Sequence, residues 1–223
     1  MVIMNIVNIK KSYKKKNVLN NITLSVEEGS CVGILGGNGS GKSTLLSVLA
    51  GVLKPDGGSV DWMGQDLLHN KELRTQILGY VPQGNPLLEE LTAWDNLLLW
   101  YDKNTLKQEL EGGVLAMLGI PEFIKVPVNK MSGGMKKRLS IGCVVAANPK
   151  VLLLDEPSAA LDLVCKERIY NYLKDYKEQG GRILLATHDV QELDLCDKWY
   201  ILKDGFLTPY EYDGNVHHLV GKL

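Results

Sequence analysis

The chain reads Cys31-Val32-Gly33-Ile34-Leu35 and continues directly into Gly36-Gly37-Asn38-Gly39-Ser40-Gly41-Lys42-Ser43. The first five residues are an unbroken apolar run, which is typical of a strand buried on both faces of a parallel sheet. The glycines that follow allow a backbone curl in which successive N–H groups point inward. A helix predicted over residues 42–52 adds the positive end of its dipole. This order of strand, loop and helix predicts an α/β core with a site for phosphate groups.

The polar side chains at the end of this loop indicate a nucleoside triphosphate bound together with Mg²⁺. Lys42 supplies a charge for the β- and γ-phosphates, Ser43 a hydroxyl ligand for the metal, and Thr44 a further donor to phosphate. A chance glycine turn is the alternative, but it would not require a buried strand before it and an amphipathic helix after it. The glycines do not fit the GxGxxG fingerprint, which disfavours NAD and FAD. The predicted nucleotide-binding residues here are Gly36, Gly37, Asn38, Gly39, Ser40, Gly41, Lys42, Ser43 and Thr44.

A second apolar run, over residues 151–154, ends in Asp155 and Glu156. Ligands of open α/β sheets bind at the carboxyl ends of the strands, so the two carboxylates are expected at that edge. Their predicted roles differ: Asp155 holds Mg²⁺ through water, and Glu156 polarises the attacking water. Two acids that only cap the next loop are the alternative, and the phosphate loop upstream makes it the weaker one. Asp162, after the following turn, is either a helix N-cap or a further site residue.

Three isolated side chains are further candidates for the same site. His188 follows a strand predicted over residues 182–186, where its imidazole could bind the γ-phosphate and help to place the water. Tyr13 lies in a lysine-rich turn and could stack on adenine. Gln83 follows a strand predicted over residues 79–81 and could relay the presence of Mg²⁺ or the γ-phosphate to the segment after it. Taken alone, a structural histidine and a surface tyrosine are the simpler interpretations.

The triplet Ser132-Gly133-Gly134 precedes a helix predicted over residues 135–147. A helix N-terminus with a serine and two glycines is a second anion site by the same dipole argument. Because the first loop already holds one nucleotide, a second phosphate-binding helix makes sense if it contacts the ATP held by another copy of the chain. A capping serine with two glycines and no ligand is the alternative, which the triplet alone does not exclude.

The remaining pattern predicts one domain over residues 1–223, with a helical subdomain inserted over about residues 86–148. Around this subdomain the apolar runs alternate between strand and helix periodicity, which indicates a parallel sheet with crossover helices. The predicted strands are residues 2–9, 18–26, 31–35, 60–63, 79–81, 151–154, 182–186 and 199–202. The predicted helices are residues 42–52, one opened by 91–95, 106–118, 135–147, 165–179 and 190–195.

Composition argues against several classes of protein. A net charge of −1 and a pI near 6.4 disfavour bulk electrostatic attraction to nucleic acid or anionic lipid, and the lysines of residues 10–16 are interpreted as a solvated turn. The 4 cysteines have no CxxC spacing, so neither a disulfide framework nor a zinc site is expected. No apolar stretch approaches the ~20 residues of a membrane span, so a soluble chain attached to a membrane through another subunit is expected.

Together these residues resemble the nucleotide-binding subunit of an ATP-binding cassette (ABC) transporter over almost the whole chain. Tyr13 matches the family's adenine-stacking aromatic residue, Gln83 its Q-loop and His188 its switch histidine. The longer motifs match in the same order along the chain. They are the Walker A motif at residues 36–43, the signature motif at 132–134, the Walker B motif with the catalytic glutamate at 151–156 and the D-loop at 159–162.

The resemblance implies a P-loop NTPase fold of the α/β class, with a mostly parallel sheet, an N-terminal antiparallel β subdomain and the inserted helical subdomain. It implies ATP hydrolysis with Mg²⁺ in a head-to-tail dimer with a second ABC ATPase copy, each ATP lying between one Walker A motif and the other copy's signature motif. Glu156, His188 and Gln83 are then catalytic, and Ser43, Gln83 and Asp155 contact the metal. Transmembrane permease subunits would dock near the Q-loop, hold the chain on the cytoplasmic face of the membrane and contact the cargo. No nucleic acid partner is expected.

The chain departs from the family pattern at Met135, where glutamine is usual. Methionine cannot make the hydrogen bonds of glutamine, which puts the presumed ribose contact in doubt, while Ser132 and its glycines are intact. Residues 132–139 resemble bacterial exporters of drugs, polysaccharides and peptides more than importers. A soluble ABC switch on ribosomes or DNA and a silent heterodimer partner are the alternatives. The first usually carries tandem cassettes or long coiled-coil insertions, and Glu156 and His188 argue against the second. Homodimer and heterodimer both remain open.

Overall fold

The computed structural model describes residues 3–14, 16–159, 161–187, 189–215, 218–219 and 221–222. Within these ranges the strands are β1 (Ile3–Tyr13), β2 (Lys16–Glu27), β3 (Cys31–Leu35), β4 (Gly57–Trp62), β5 (Gln65–Asp66), β6 (Leu78–Val81), β7 (Val151–Asp155), β8 (Arg182–Ala186), β9 (Lys198–Lys203) and β10 (Phe206–Tyr210). The α-helices are α1 (Lys42–Leu49), α2 (Lys71–Ile77), α3 (Ala93–Leu97), α4 (Lys103–Gly112), α5 (Val114–Met117), α6 (Gly133–Val145), α7 (Leu163–Glu178) and α8 (Val190–Leu195). Two 3-10 turns, Ile120–Phe123 and Val128–Lys130, precede α6.

A six-stranded sheet forms the centre of the molecule, in the order β10-β9-β3-β8-β7-β6. All neighbouring strands in it run parallel except β9 and β10. The parallel sheet predicted from the apolar runs is therefore confirmed. Asp155 pairs with Ala186 at the ends of β7 and β8, and Ile34 of β3 pairs with Ala186 from the other side. The carboxyl ends of β3, β8 and β7 thus lie at one edge, where ligands of such sheets bind.

The three central strands are buried along their whole length because both faces of the sheet are covered. Alternate residues of β7 point to opposite faces. Leu152 and Leu154 belong to one apolar cluster, which includes the helical segment and α7. Val151 and Leu153 belong to the other, which includes α1 and the antiparallel strands. An unbroken apolar run is thus the sequence pattern that a strand between two cores requires.

The second sheet is antiparallel, in the order β2-β1-β4-β5, and it supports the phosphate loop from one side. Met4, Ile6 and Ile9 of β1 are fully buried against α1, which contributes Leu45 and Leu46 to the same cluster. Burying a side chain of this size stabilises the fold by about 1.5–3 kcal/mol. The packing therefore holds the first helix after the loop firmly between the two sheets.

Several helix boundaries differ from the predicted ones. The first helix ends at Leu49 rather than at residue 52, because Gly51 adopts a left-handed conformation with φ 75° and closes the turn. Helix α2 was not predicted, because its sequence is largely polar and lacks a helical apolar period. Its signal is the N-cap: the side chain of Asn70 accepts a hydrogen bond from the backbone N–H of Leu73 at 3.0 Å.

The prediction of one continuous helix over residues 106–118 was wrong. The segment forms α4 and α5, which are separated at Gly113, where the backbone is extended. The carboxylate of Glu109 accepts a hydrogen bond from the backbone N–H of Val114 at 2.8 Å and so caps the second helix. Helices α3 to α6 follow β6 and precede β7, as expected for the helical segment. In the part of the chain described, no helix has both the length and the apolar character of a membrane span.

Candidate active site

The phosphate loop, residues 36–43, has a backbone shape that depends on glycine. Gly36 has φ 157°, and a Cβ atom there would lie 2.5 Å from the carbonyl oxygen of Leu202. Gly41 has φ 111° and stands at the N-cap of α1, where a Cβ would lie 3.0 Å from the carbonyl oxygen of Val18. Side chains at these positions would clash with neighbouring backbone, so the close approach of the loop to β2 and β9 requires glycine.

Lys42 folds back over this loop. Its side chain is 6% exposed, and its Nζ donates hydrogen bonds to the carbonyl oxygens of Gly36 at 2.7 Å and Gly37 at 3.3 Å. Burial lowers the pKa of Lys42, while the carboxylates of Glu156 and Asp155 act in the opposite direction. The ammonium group therefore contacts the loop carbonyls and interacts electrostatically with the carboxylate pair, in the loop where phosphate oxygens are expected to bind.

A cleft of about 380 Å³ joins the loop to residues far away in sequence. Its wall contains Gln83 and Glu156 beside the loop and the first residues of α1. Val18 of β2 also lines it and was not singled out in the sequence, because an isolated valine in a strand carries no functional signal. A larger cleft of about 780 Å³, between α4, α5 and α7, contains none of the predicted site residues. The full lining of the smaller cleft is Val18, Asn38, Gly39, Ser40, Gly41, Lys42, Ser43, Thr44, Gln83 and Glu156.

Asp155 is the last residue of β7, and its side chain is 2% exposed. Burial raises its pKa, and the neighbouring carboxylate of Glu156 raises it further. A hydrogen bond from the Ser43 side chain and the charges of Lys42 and Lys137 oppose this rise. A buried carboxylate beside a serine hydroxyl supplies the hard oxygen ligands that Mg²⁺ prefers. Ser43 and Asp155, which the sequence analysis assigned separately to the metal, are thus in direct contact.

Glu156 follows β7 in a left-handed backbone conformation, with φ 50°. Its backbone N–H donates to the carbonyl oxygen of Ala186 at 2.8 Å, which continues the pairing of β7 with β8 by one residue. Its Oε2 accepts a hydrogen bond from Nε2 of Gln83 at 3.1 Å. A left-handed conformation costs a residue with a side chain on the order of 1–3 kcal/mol and is common at functional sites. The strained turn directs this carboxylate into the cleft, while Asp155 remains buried.

The Ser132-Gly133-Gly134 triplet does not line this cleft. Ser132 is the N-cap of α6, and its Oγ accepts a hydrogen bond from the backbone N–H of Met135 at 3.2 Å. Ser132 and Gly133 are exposed, whereas Gly134 is buried against Cys165, whose Sγ would lie 2.7 Å from an added Cβ. The helix N-terminus is therefore open to a partner, and a single chain does not bring it to its own phosphate loop.

The remaining candidates lie at the margin of the site or outside the described residues. Tyr13 ends β1, is 45% exposed and has the Nζ of Lys11 at 5.5 Å from its ring centroid. Asp162 is the N-cap of α7 and accepts a hydrogen bond from the backbone N–H of Cys165 at 2.8 Å, in agreement with the N-cap alternative predicted for it. His188 lies outside the described residues. On its N-terminal side, Thr187 donates a hydrogen bond to the buried carboxylate of Glu192.

Two buried groups near the site were missed by the sequence analysis. Lys137 was treated only as part of the helix after the Ser-Gly-Gly triplet, yet its side chain reaches the segment that carries Gln83. Glu192 has a pKa raised by burial, and hydrogen bonds from Thr187 and Ser158 oppose that rise. Neither residue belongs to a short motif, so only their burial distinguishes them. The 4 cysteines are free and buried.

The parallel sheet, the phosphate loop and the carboxylate pair define a P-loop nucleotide-binding protein. A model of the family described as ABC transporter matches residues 19–159. The chain is 35% identical over 205 residues to Nod factor export ATP-binding protein I of Sinorhizobium fredii, covering 89% of this chain and 59% of that protein. It is 32% identical over 213 residues to the lantibiotic transport ATP-binding protein SrtF of Streptococcus pyogenes, covering 93% of this chain and 90% of that protein. The chain belongs to the ABC transporter family.

The structure is similar to that of solved ATP-binding cassettes. One of them is a dimeric cassette in a post-hydrolysis state with ADP and phosphate bound. It is 30% identical, has a TM-score of 0.84 and covers 93% of this chain and 98% of that chain. The P-loop ABC fold expected from the resemblance, with its antiparallel and mostly parallel sheets, is thus confirmed. The chain spans less than two thirds of the length of the Nod factor relative, at 59%.

Proposed function

We propose that this chain is the ATPase subunit of an ABC transporter and hydrolyses ATP in a head-to-tail dimer to drive transport. The observation that carries the proposal is the cleft in which Lys42, Ser43, Gln83 and Glu156 meet. These side chains can contact a triphosphate, ligate its metal ion and activate a water molecule. Two relatives are named for Nod factor export and for lantibiotic transport. Their names support the proposal that ATP hydrolysis by this chain drives transport.

The phosphates bind to the backbone N–H groups of the loop and to the ammonium group of Lys42. Their arrival displaces Lys42 from the carbonyl oxygens of Gly36 and Gly37, which it contacts in the structure. Ser43 and Asp155 would hold Mg²⁺ beside them, and Gln83, which lines the same cleft as Ser43, would also contact the metal. When bound, the metal neutralises charge on the β- and γ-phosphates and lowers the barrier to phosphoryl transfer.

Glu156 is the general base in this proposal. Its carboxylate accepts a hydrogen bond from Gln83 and points into the cleft, so it can take a proton from a water molecule that attacks the γ-phosphorus. The bond from that phosphorus to the bridging oxygen breaks, and ADP and inorganic phosphate leave. Tyr13 would stack on adenine, and His188 would contact the γ-phosphate and help to place the water.

Dimerisation completes each site. The exposed N-terminus of α6, with Ser132 and Gly133, would contact the γ-phosphate of the ATP held by a second cassette. Asp162 would stand near the same interface while it caps α7. Because a head-to-tail pair has two-fold symmetry, the same contacts form twice, and two ATP molecules lie between the chains.

The cassette works on the cytoplasmic face of a membrane through separate permease subunits. Residues 1–223 form one nucleotide-binding domain, and the helical segment of about residues 86–148 is its inserted subdomain. Leu99 and Trp100, in the turn after α3, are 60% and 61% exposed, which gives this segment an apolar surface for a permease helix. The relatives named for export make export the direction that we propose.

The test is Glu156→Gln with Glu111→Gln, an exposed glutamate of α4, as its matched control. We expect Glu156→Gln to lose ATP turnover, retain ATP binding and form a stable dimer with ATP on size-exclusion chromatography. The control should hydrolyse ATP like the wild type and remain monomeric after turnover. Normal turnover in Glu156→Gln would refute the assignment of the base.

A second experiment tests transport: tagged Glu156→Gln is purified with ATP from solubilised membranes of its native cell. Co-purification of a polytopic membrane protein is the expected result. Recovery of a ribosome or DNA complex with no membrane subunit would overturn the transport proposal.

A further inference from the structure

Lys137 joins the helix that begins at Ser132 to the segment that carries Gln83. Its side chain is 4% exposed. Its Nζ donates hydrogen bonds to the carbonyl oxygens of Pro82 at 2.8 Å and Gln83 at 3.0 Å. Burying an ammonium group costs free energy unless its N–H donors are hydrogen-bonded. These two hydrogen bonds therefore fix the position of the Lys137 side chain, unlike that of a solvent-exposed lysine.

The neighbouring basic residues make different contacts. Lys136 forms an ion pair with Glu89 at 3.1 Å, and the side chain of Glu89 is 64% exposed. Arg138 donates to the carbonyl oxygen of Leu118, inside the helical segment. Three consecutive cations on α6 therefore point in three directions, and Lys137 is the one that reaches the end of β6. Lys136 offers a matched control, because it has the same chemistry one residue away.

Lys137 also lies in the electric field of the catalytic carboxylates. Burial lowers its pKa, and the charges of Asp155, Glu192 and Glu156 oppose this effect. Conversely, the charge of Lys137 opposes the rise in the pKa of Asp155. A displacement of the ammonium group thus changes the electrostatic environment of the residues proposed to hold the metal and activate water.

A continuous set of contacts runs from the N-terminus of α6 to Glu156. Ser132 lies five residues before Lys137, about 7.5 Å along a helix that rises 1.5 Å per residue. Lys137 holds the backbone of Gln83, and the side chain of Gln83 donates to Glu156. One rigid helix therefore carries both an end that is open to a partner and a side chain attached to the catalytic cleft of its own chain.

We propose that Lys137 is a positioning residue that couples the two ATP sites of the dimer. This inference rests on the proposed function, in which Ser132 and Gly133 contact the partner's ATP. That contact moves α6, and Lys137 transmits the movement through the carbonyls of Pro82 and Gln83. The amide of Gln83 then shifts relative to Glu156, so that hydrolysis in each site depends on the ATP bound in the other. Such coupling needs a physical connection between two sites, and Lys137 provides one.

The experiment compares Lys137→Met with Lys136→Met and Lys137→Arg in the full chain. Methionine keeps an unbranched side chain of similar length without the donors, and arginine restores them. We measure ATP binding under conditions that prevent dimerisation, the ATP dependence of turnover, and thermal unfolding. For Lys137→Met we expect ATP affinity within about twofold of the wild type, kcat lower by about tenfold and a Hill coefficient reduced from about 2 toward 1. Lys136→Met should match the wild type, and Lys137→Arg should regain cooperativity.

Unchanged kcat and Hill coefficient in Lys137→Met would overturn the inference. A variant in which thermal stability, ATP affinity and kcat all fall while the Hill coefficient stays at the wild-type value would also overturn it. That result would indicate a purely structural role for Lys137. If Lys137→Met does not fold, Lys137→Gln, which keeps a donor but no charge, replaces it under the same criteria. A wild-type chain without ATP turnover would contradict the proposed function itself, whereas an active wild type with an unaffected Lys137→Met contradicts the coupling alone.

Discussion

Gln83 donates a hydrogen bond from Nε2 to Oε2 of Glu156 over 3.1 Å, although 73 residues separate them in the chain. The contact connects the end of β6 to the end of β7, which are adjacent parallel strands of the central sheet. It holds the carboxylate in the cleft beside Lys42 and Ser43. The proposed base is therefore oriented by a side chain that also stands where the metal and the γ-phosphate are expected.

Replacement of Gln83 by alanine removes this donor. We expect kcat for ATP hydrolysis to fall by about tenfold or more, because a general base that is poorly oriented transfers the proton less efficiently. ATP affinity should change by less than about twofold, since the phosphate loop is intact. Steady-state kinetics and equilibrium binding separate the two effects. Gln108→Ala, at an exposed position of α4, is the control, and equal kcat values for the two variants would contradict the orienting role.

Lys42→Ala should weaken ATP binding. The ammonium group lies within the cleft and is the expected partner of the β- and γ-phosphates. We expect the Kd for ATP to rise by about tenfold or more, because a charge-assisted contact of about 1.5–3 kcal/mol is lost. Isothermal titration calorimetry measures the change. Lys71→Ala, at the exposed start of α2, serves as the control, and comparable affinities in the two variants would remove Lys42 from the site.

Gly36→Ala and Gly37→Ala form a pair that tests the shape of the loop. A methyl group at Gly36 would lie 2.5 Å from the carbonyl oxygen of Leu202, whereas nothing lies within 4 Å of a Cβ at Gly37. We expect Gly36→Ala to lower the free energy of unfolding by about 1–3 kcal/mol through backbone strain and steric overlap. Gly37→Ala should lower it by less than about 0.5 kcal/mol. Urea denaturation followed by circular dichroism measures both, and equal losses would count against the close approach of the loop to β9.

Glu192→Gln tests the cost of burying a carboxylate. Burial raises the pKa of Glu192 above its ordinary value of 4.5, so the folded state binds the proton more tightly than the unfolded state. Stability from this group is therefore present below the unfolded-state pKa and is lost as the pH rises through the folded-state pKa. Glutamine has no ionisable carboxyl group, so Glu192→Gln does not lose stability through this ionisation as the pH rises.

We expect the stability of Glu192→Gln relative to the wild type to increase from pH 4 to pH 8, as measured by urea denaturation at each pH. Glu111→Gln, at an exposed position, is the control for loss of one negative charge. A difference between Glu192→Gln and the wild type that stays constant across this range would show that the carboxylate has no raised pKa in the folded protein.

Much of the fold could be predicted because its signals are local. The strands β3 and β8 have the predicted bounds and β7 extends one residue beyond them to Asp155, since a strand covered on both faces needs apolar residues at successive positions. The short elements β5 and β10 escaped prediction, because Gln65–Asp66 and Phe206–Tyr210 pair at sheet edges and are largely exposed. Their strand conformation depends on a neighbour rather than on their own pattern.

The sequence by itself determined the phosphate loop, the carboxylate pair and the capped start of α6, because these depend on residues that are adjacent in the chain. Only the tertiary structure decided that Gln83 contacts Glu156, that Lys137 reaches the carbonyl of Pro82 and that Ser132 does not line the cleft of its own chain. It also decided that Asp155 is buried while Glu156 turns into the cleft with φ 50°. The physical reason is that backbone propensities act within a few residues, whereas contacts between side chains depend on how distant elements pack around a shared core.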